Sequence, residues 1–344
     1  MNQQYLDLFN SLDNGQRNRN DCVVIVDGLN TFIRVFSVVP SLNDDGEHIG
    51  GITGFLKSIG YLIRQFNATR CIIVFDGEGG SLRRRRIYSE YKNNRKPSNY
   101  NRLDDFGSDE DLEQSMRRQI RRIGDYLSIM PVDVIQIDKV EADDVIATLA
   151  VDYFQNKSNE IIINSTDKDF IQLINSKIKV WSPTKKLLYD EDNLKKVFKV
   201  SKGNYLLYRV LTGDKSDNID GVKGLGLKTL IKRFPGIVTE PYTIDRLLNE
   251  CKQYIDNGEK YKIYTQILEA EKIIRRNYEL MQLNTSIING SILLKIYEKL
   301  DNSTPELDTV QFKRMFLQDK LYSDIRDIDT WLRNSLNRLL IYGK

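Results

Sequence analysis

Residues 22–28 read Cys-Val-Val-Ile-Val-Asp-Gly, an apolar, largely β-branched run that ends in Asp-Gly. A continuous apolar run of this length predicts a strand that is buried on both faces, as in a parallel sheet. Residues 71–77 repeat the pattern as Cys-Ile-Ile-Val-Phe-Asp-Gly. Because ligands bind at the carboxyl ends of strands in α/β sheets, we expect Asp27 and Asp76 to lie at a ligand-binding edge.

Strands and helices alternate along the rest of the first half of the chain. Apolar runs predict further strands at 132–137, 160–164 and 179–181, and helical spacing predicts helices at 53–66 and 142–155. Strands that alternate with helices form parallel sheets, so we predict an α/β fold with a central twisted, mostly parallel sheet and flanking helices. After about residue 190 the apolar spacing is helical and no further strand is predicted.

Four regions are predicted along the chain. They are an N-terminal extension at 1–20, an α/β domain at 21–190 with a charged helical insertion at 81–129, a helical region at 191–290, and C-terminal helices at 291–344. A chain of 344 residues is long enough to bury a full core in one or two domains.

Composition excludes several functional classes. The chain has one histidine and three cysteines without metal-site spacing, so histidine catalysis and a zinc site are not expected. No apolar run approaches the ~20 residues of a membrane span, so no membrane partner is predicted. The polar N-terminus lacks the apolar core of a signal peptide, and a cytoplasmic location is therefore predicted.

Charge is segregated although the net charge is only +3. Residues 83–96 carry seven basic side chains and one acid, whereas residues 104–113 carry six acids and no base. Cationic surface beside an acidic cleft suits a polyphosphate that is attracted to the protein and then cut at metal ions.

Nine acidic residues follow the predicted strands or lie in the segment 213–218: Asp27, Asp76, Glu141, Asp143, Asp144, Asp167, Asp169, Asp214 and Asp217. Like charges repel strongly at low dielectric, so nine carboxylates cannot share a cleft without cations. Oxygen ligands suit hard divalent cations, and we predict two or more Mg²⁺ ions, with Mn²⁺ as a substitute.

Simpler structural roles remain open for individual acids. The three acids at 141–144 open a predicted helix, where one acid is an ordinary partner of the helix dipole. Asp167 and Asp169 could cap a turn, as aspartates commonly do. The recurrence of acids at one sheet edge, rather than any single motif, favours the metal site.

Residues 213–229 read Gly-Asp-Lys-Ser-Asp-Asn-Ile-Asp-Gly-Val-Lys-Gly-Leu-Gly-Leu-Lys-Thr. The last three glycines permit a tight turn between helices and a close approach of backbone N–H groups to a ligand. A helix that begins after them directs its N-terminus toward phosphate. An ordinary helical hairpin would use only one or two of these glycines. The expected nucleic-acid contacts here are Gly221, Gly224, Gly226, Lys228 and Thr229.

The basic segment that begins at Arg83 also contains Tyr88 and Tyr91. A solvated helix face is the usual meaning of such a run. Because this run follows a strand that ends at a predicted metal ligand, we favour phosphate contacts, with Arg83 among them. The two tyrosines could stack on bases or belong to the core.

Together these motifs resemble the flap endonuclease and 5′ nuclease superfamily, and most closely the RNase H 5′-3′ exonucleases of T-even-like bacteriophages. The resemblance covers about residues 21–285. It rests on Val-Asp-Gly at 26–28, Phe-Asp-Gly at 75–77, Tyr91-Lys92-x-x-Arg95, Glu-Ala-Asp-Asp at 141–144, Ser-Thr-Asp-Lys-Asp at 165–169, and the segment 213–229. The family often has Phe-Arg where this chain has Leu82-Arg83, and the acidic segment 104–113 is unusual for a strand-threading region.

The resemblance implies a PIN-like 5′-nuclease fold with a helical arch and a helix–three-turn–helix. It places one metal site on Asp27, Asp76, Glu141, Asp143 and Asp144. It places the second on Asp167, Asp169, Asp214 and Asp217. Lys92 and Arg95 would be catalytic cations that stabilise charge on the phosphate, and K⁺ would bind at the helix–three-turn–helix.

The expected function is Mg²⁺-dependent hydrolysis of phosphodiesters in DNA and RNA–DNA duplexes, at 5′ ends and 5′ flaps. The implied role is removal of primers and flaps during phage DNA replication by a monomer in the host cytoplasm. A single-strand-binding protein or a sliding clamp is a further expected partner. Three alternatives stay open: a non-catalytic nucleic-acid-binding protein, a PIN-like ribonuclease, and a small-molecule phosphohydrolase.

Overall fold

The structure is a computed structural model that describes residues 18–94, 109–283 and 288–342. Most of the predicted N-terminal extension and Arg95 therefore lie outside the described residues. Of the predicted insertion at 81–129, the described part is helical and contains no strand.

The central sheet has six strands in the order β3-β2-β1-β4-β5-β6. All neighbours are parallel except β5 and β6, which are antiparallel. The strands are β1 (Cys22–Asp27), β2 (Arg70–Asp76), β3 (Asp133–Ile137), β4 (Glu160–Asn164), β5 (Ile178–Ser182) and β6 (Leu187–Tyr189). This arrangement confirms the predicted α/β class.

Helices flank the sheet and form the second half of the chain. In the first half they are α1 (Gly28–Val38), α2 (Gly50–Gln65), α3 (Leu82–Ile87), α4 (Asp109–Leu127) and α5 (Ala142–Thr148), which a π-helical turn (Leu149–Phe154) extends. In the second half they are α6 (Glu191–Phe198), α7 (Tyr205–Thr212), α8 (Leu227–Arg233), α9 (Ile244–Asp256), α10 (Lys262–Glu269), α11 (Glu271–Met281), α12 (Gly290–Asn302), α13 (Thr309–Gln318), α14 (Ile328–Asn334) and α15 (Leu336–Leu340).

The five predicted strands agree with β1 to β5 within one residue at each end. The expectation of no strand after residue 190 is wrong at one place. A two-stranded ladder, β7 (Gly213–Asp214) and β8 (Ile219–Asp220), forms between α7 and α8. Two residues per strand are too few to show an alternating pattern, so the sequence carried no signal for this ladder.

Both faces of the sheet are buried, which explains the continuous apolar runs. Val23 and Ile25 face a core completed by α5 to α12. Val24 and Val26 face a second core completed by α1, α2, α4 and the last helices, α13 to α15. The C-terminal helices thus cover one face of the sheet.

Helix α12 is tied to the sheet by a polar contact as well. Arg70 in β2 donates from Nη2 to the carbonyl of Leu300 in α12 at 2.7 Å, and its Nε pairs with Asp133 at 2.7 Å. Across the described ranges, no helix is both long enough and apolar enough for a bilayer crossing.

Candidate active site

The carboxyl edge of the sheet carries acids from four neighbouring strands. β2 ends at Asp76 and β1 ends at Asp27, while Asp143 follows β3 in the first turn of α5 and Asp167 follows β4. Together with Asp214 they line one cleft of about 700 Å³, which we call the carboxylate cleft. Parallel strands bring these side chains together because all of them end at the same edge.

Asp27 is buried and held by two hydrogen bonds. Its Oδ1 accepts from the backbone N–H of Asn30 at 3.1 Å, and its Oδ2 accepts from Ser165 Oγ at 3.0 Å. Burial raises the pKa of Asp27 to about 7 despite these bonds, and the charges of Asp76 and Asp167 act in the same direction. Burial and the neighbouring negative charges therefore oppose ionisation of Asp27.

Asp143 makes no hydrogen bond or ion pair with the described residues. Burial raises the pKa of Asp143 well above its ordinary value, and the charge of Asp167 raises it further. Burial also raises the pKa of Asp167, although its Oδ1 accepts from Asp169 N at 2.7 Å. That bond is the Asx-type turn considered from the sequence, so Asp167 closes a turn and also lines the cleft.

A buried arginine neutralises two of the predicted ligands. Arg84 in α3 forms a bidentate pair with Asp144, with N–O distances of 2.7 and 2.8 Å, and also pairs with Glu141. Its Nε donates to the carbonyl of Leu280 in α11 at 2.8 Å. Glu141 and Asp144 thus bind Arg84 and do not line the carboxylate cleft, and their role as metal ligands stays a prediction.

Glu141 also pairs with Lys92, whose Nζ lies 2.6 Å from Glu141 Oε1. Burial alone would raise the pKa of Glu141, but Arg84 and Lys92 hold it below its ordinary value. Glu141 occupies the N-cap position of α5, but its side chain makes no cap bond, and Asp76 Oδ1 instead accepts from Ala142 N at 2.9 Å.

Lys92 occupies a left-handed backbone conformation with φ of 58°. Its N–H donates to the carbonyl of Asp217 at 2.9 Å, which anchors the segment after α3 to the turn before β8. Burial lowers the pKa of Lys92, but Glu141 and Asp143 outweigh that effect and keep the pKa above its ordinary value. Lys92 is therefore a charged ammonium at the wall of the carboxylate cleft.

Arg209 in α7 neutralises two acids of the second predicted metal site, as Arg84 does for the first. Its Nε pairs with Asp169 at 3.0 Å, and its Nη2 pairs with Asp214. Burial, together with the charge of Asp167, raises the pKa of Asp169 to about 7 against the opposing charge of Arg209. Asp217 is buried beside this group. Sequence analysis missed Arg209, although a lone charge in the apolar helix Tyr205–Thr212 signals a buried partner.

The residues fit divalent cations chemically, but they do not form a complete ligand shell. Within the described ranges, no three acidic, His or Cys side chains lie close enough together to hold one ion as they stand. Hydrogen bonds and arginines hold several of the carboxylates apart. Asp143 nevertheless has no partner among the described residues, and the pKa values of Asp27 and Asp167 are raised. Bound cations would reduce the electrostatic cost of ionising these buried carboxylates.

The glycine-rich segment between α7 and α8 forms a compact turn. A side chain at Gly221 would meet the backbone of Thr212 at 2.3 Å, so only glycine fits there. Gly224 has φ of +78°, a conformation that favours glycine. Gly226 and Lys228 are exposed, Thr229 is half-buried, and a side chain at Gly226 would meet open space. These positions are accessible to a ligand, and their contacts with nucleic acid stay predictions.

The basic and aromatic segment divides into buried and accessible members. Tyr91 is buried in the core with its hydroxyl 3.4 Å from Glu141, so it belongs to the core and has no free face for a base. Tyr88 is half-buried under the guanidinium of Arg276, which lies 4.0 Å from the ring centroid. Arg83 is half-buried beside them.

Comparison with known proteins identifies the family. A family model described as the 5′-3′ exonuclease, N-terminal resolvase-like domain, matches residues 22–199. The chain belongs to this family. The matched range contains the whole six-stranded sheet and four of the five acids that line the carboxylate cleft.

Related proteins align with most of this family member. A 5′-3′ exonuclease of Aquifex aeolicus is 27% identical over 317 residues, which cover 92% of this chain and 98% of the relative. Flap endonuclease Xni of Shewanella frigidimarina is 29% identical over 269 residues, which cover 77% and 92%. DNA polymerase I of Caldicellulosiruptor bescii is 26% identical over 92% of this chain, and the chain spans only 37% of that protein's length.

Solved structures share the fold. The bacteriophage T5 flap endonuclease in complex with DNA and metal ions has a TM-score of 0.64 at 21% identity, covering 81% of this chain and 97% of that one. The T5 5′-exonuclease with bound zinc gives the same TM-score and identity, covering 81% and 98%. The similarity supports the same architecture of a parallel sheet followed by helices.

Proposed function

We propose that this protein is a metal-dependent 5′ nuclease that hydrolyses phosphodiester bonds of DNA and RNA–DNA duplexes. The observation that carries the proposal is the carboxylate cleft, in which Asp27, Asp76, Asp143 and Asp167 converge beside Lys92. The cleft lies where an α/β sheet binds ligands, and burial raises the pKa of three of its acids, Asp27, Asp143 and Asp167, an effect that bound cations would offset.

The proposed cations are two or more Mg²⁺ ions, with Mn²⁺ as a substitute. Asp27, Asp76 and Asp143 would hold the first, with Glu141 and Asp144 contributing if Arg84 releases them. Asp167, Asp169, Asp214 and Asp217 would hold the second. Bound there, divalent cations activate water for attack and stabilise charge on the leaving oxygen. The family relatives solved with metal ions support this assignment.

The chain's own residues would position and stabilise the phosphate. Lys92 is a fixed ammonium at the cleft wall, and its charge would stabilise negative charge that develops on the scissile phosphate. Arg95 is proposed to act with it. Because Lys92 N–H binds the Asp217 carbonyl, this ammonium is held in register with the turn between α7 and α8.

The turn between α7 and α8 is proposed to bind the duplex. Backbone N–H groups around Gly221, Gly224 and Gly226, with Lys228 and Thr229, would contact phosphates of one strand, and K⁺ would bind backbone carbonyls there. Arg83 and Tyr88 would contact the strand nearer the cleft. Phosphate contacts of this kind set position without reading sequence.

The proposed substrates are 5′ ends and 5′ flaps, as the names of the relatives suggest. The proposed role is removal of RNA primers and flaps during phage DNA replication, by a monomer in the host cytoplasm. A single-strand-binding protein or a sliding clamp is the proposed protein partner.

Single-turnover cleavage tests the proposal. A labelled 5′-flap duplex and a blunt RNA–DNA duplex are mixed with excess protein in Mg²⁺, in Mn²⁺ or in Ca²⁺. The proposal predicts short 5′ products in Mg²⁺ and binding without cleavage in Ca²⁺. Tight binding without cleavage in Mg²⁺ and Mn²⁺ would instead identify a non-catalytic nucleic-acid-binding protein, and preferential cutting of structured RNA would identify a PIN-like ribonuclease.

A further inference from the structure

A second cavity, of about 450 Å³, adjoins the carboxylate cleft at the carboxyl ends of β2 and β3. Leu29 and Asp76 line both cavities, so the two lie side by side. The apolar walls of the second cavity, which we call the base pocket, are Leu29, Phe75, Ile120, Leu127 and Val134. The pocket therefore begins at a predicted metal ligand and extends away from it under α4.

The chemistry of the base pocket differs from that of the cleft. Among the described residues, no lysine or arginine lines the pocket, and Asp76 at its mouth is the one charged residue. The carboxylate cleft, in contrast, is lined by basic residues including Lys92, Arg209 and Lys215. A phosphate would therefore bind in the cleft, whereas the pocket suits an uncharged, flat, apolar group.

Phe75 gives the pocket an aromatic wall, and the chain makes room for it. A Cβ at Gly28 would lie 2.7 Å from the Phe75 ring, so the ring packs directly against the first turn of α1. Any side chain at position 28 would therefore have to displace the Phe75 ring, which forms a wall of the pocket.

A second glycine opens the pocket from the side of α4. Gly124 lies within α4 and lines the pocket, and a Cβ there would meet no atom of the described residues within 4 Å. Glycine destabilises a helix interior relative to alanine. Gly124 is exposed, and packing against the described residues does not require glycine at this position, so a larger side chain there has room to enter the cavity.

Polar atoms at the rim of the base pocket can accept hydrogen bonds from the edge of a base. Gln136 donates from Nε2 to the Asp76 carbonyl at 3.0 Å, and its Oε1 has no partner among the described residues. Ser128 donates to the Asp125 carbonyl at 2.7 Å and keeps its oxygen lone pairs as acceptors. These groups accept amino or imino hydrogens without selecting one base.

We propose that the base pocket binds the nucleobase of the first unpaired nucleotide on the 5′ side of the scissile phosphate. This proposal rests on the proposed function. The turn assigned to the duplex follows α7, which contacts the short 3-10 helix Asp169–Leu173 after β4, whereas the pocket lies at β2 and β3, on the other side of β1 in the sheet order. With the phosphate in the cleft, the nucleotide that leaves the duplex places its base in the pocket.

The test compares two substitutions at Gly124 on a matched pair of substrates. One 5′-flap duplex carries a normal first flap nucleotide, and the other carries an abasic analogue at that position. Gly124→Leu fills the pocket, and Gly124→Ala is the control that gives the helix a side chain but leaves most of the space. Both substitutions favour the helix, so neither is expected to prevent folding.

Wild type and Gly124→Ala should cleave the abasic flap in Mg²⁺ about tenfold or more slowly than the normal flap, the scale of one base–aromatic stacking contact. Gly124→Leu should cleave the normal flap at that slower rate and show no further loss on the abasic flap. Equal wild-type rates on both flaps would overturn the pocket proposal while leaving the nuclease function intact.

Binding provides a readout that does not need cleavage. With 2-aminopurine as the first flap base and Ca²⁺ as the cation, fluorescence should change on binding to wild type and Gly124→Ala but not to Gly124→Leu. Failure of wild type to cut any flap in Mg²⁺ or Mn²⁺ would overturn the proposed function, and the fluorescence would still test the pocket. An identical response in all three proteins would show that a segment of the chain or solvent, rather than a base, occupies the cavity.

Discussion

Asp27→Asn should stabilise the protein in the absence of divalent cations and abolish its cleavage activity. A carboxyl with a higher pKa in the folded than in the unfolded state binds more protons when folded. Its contribution to stability therefore falls as pH rises from about 4 to about 7. One unit of pKa corresponds to about 1.4 kcal/mol, so the rise from 3.8 to about 7 sets a ceiling of roughly 4 kcal/mol on the cost of ionised Asp27.

The geometry allows asparagine to fit without new strain. Its side-chain oxygen can accept from Asn30 N as Asp27 Oδ1 does, and its NH₂ can donate to Ser165 Oγ, because a hydroxyl is both donor and acceptor. We therefore expect Asp27→Asn to raise the free energy of unfolding by roughly 2–4 kcal/mol at pH 8 in EDTA, and by much less near pH 4.

Urea unfolding followed by circular dichroism measures this difference. With a slope of about 3 kcal/mol per molar urea, the midpoint at pH 8 should rise by about 1 M. Asp256→Asn, at the exposed end of α9, is the control and should leave the midpoint unchanged. Millimolar Mg²⁺ should close the gap by stabilising the wild type. A midpoint that is equal or lower for Asp27→Asn at pH 8 would refute the inference that ionised Asp27 destabilises the folded protein.

Three further predictions concern the cations around the cleft. Asp167→Asn should abolish single-turnover cleavage while Ca²⁺-supported DNA binding persists, and turnover equal to wild type would remove the two-metal argument. Lys92→Ala should lower the single-turnover rate far more than the affinity; a loss of affinity alone would make it only a positioning contact. Arg84→Met should lower stability by about 3–5 kcal/mol, because it leaves Asp144 buried without its partner and Glu141 paired with Lys92 alone, and an unchanged urea midpoint would contradict that.

The strands were predictable because their pattern is local. The apolar runs of β1, β2 and β4 are long enough to specify strands buried on both faces, and β4 has the predicted bounds. The short strands β6, β7 and β8 were not predictable, since two or three residues carry too little pattern and their pairing depends on the folded neighbours.

Of the two arginines that pair with acids of the site, one was predictable from the sequence and the other was not. Arg209 stands alone in an apolar helix, so its burial against acids was foreseeable. Arg84 is one of four consecutive arginines, and nothing in the run distinguishes it from its neighbours. Only the packing of α3 against α5 and α11 selects Arg84 for burial, and Tyr91 is placed in the core by the same packing.

The sequence by itself determined the fold class, the family motifs and the sheet edge at which the acids gather. Apolar runs indicate which strands are buried, and the acids follow those runs directly in the chain. The tertiary structure alone decided which acids face the cleft and which face an arginine. It also decided that an apolar pocket adjoins the cleft. Both depend on side chains from segments far apart in the chain, and no local pattern records how those segments meet.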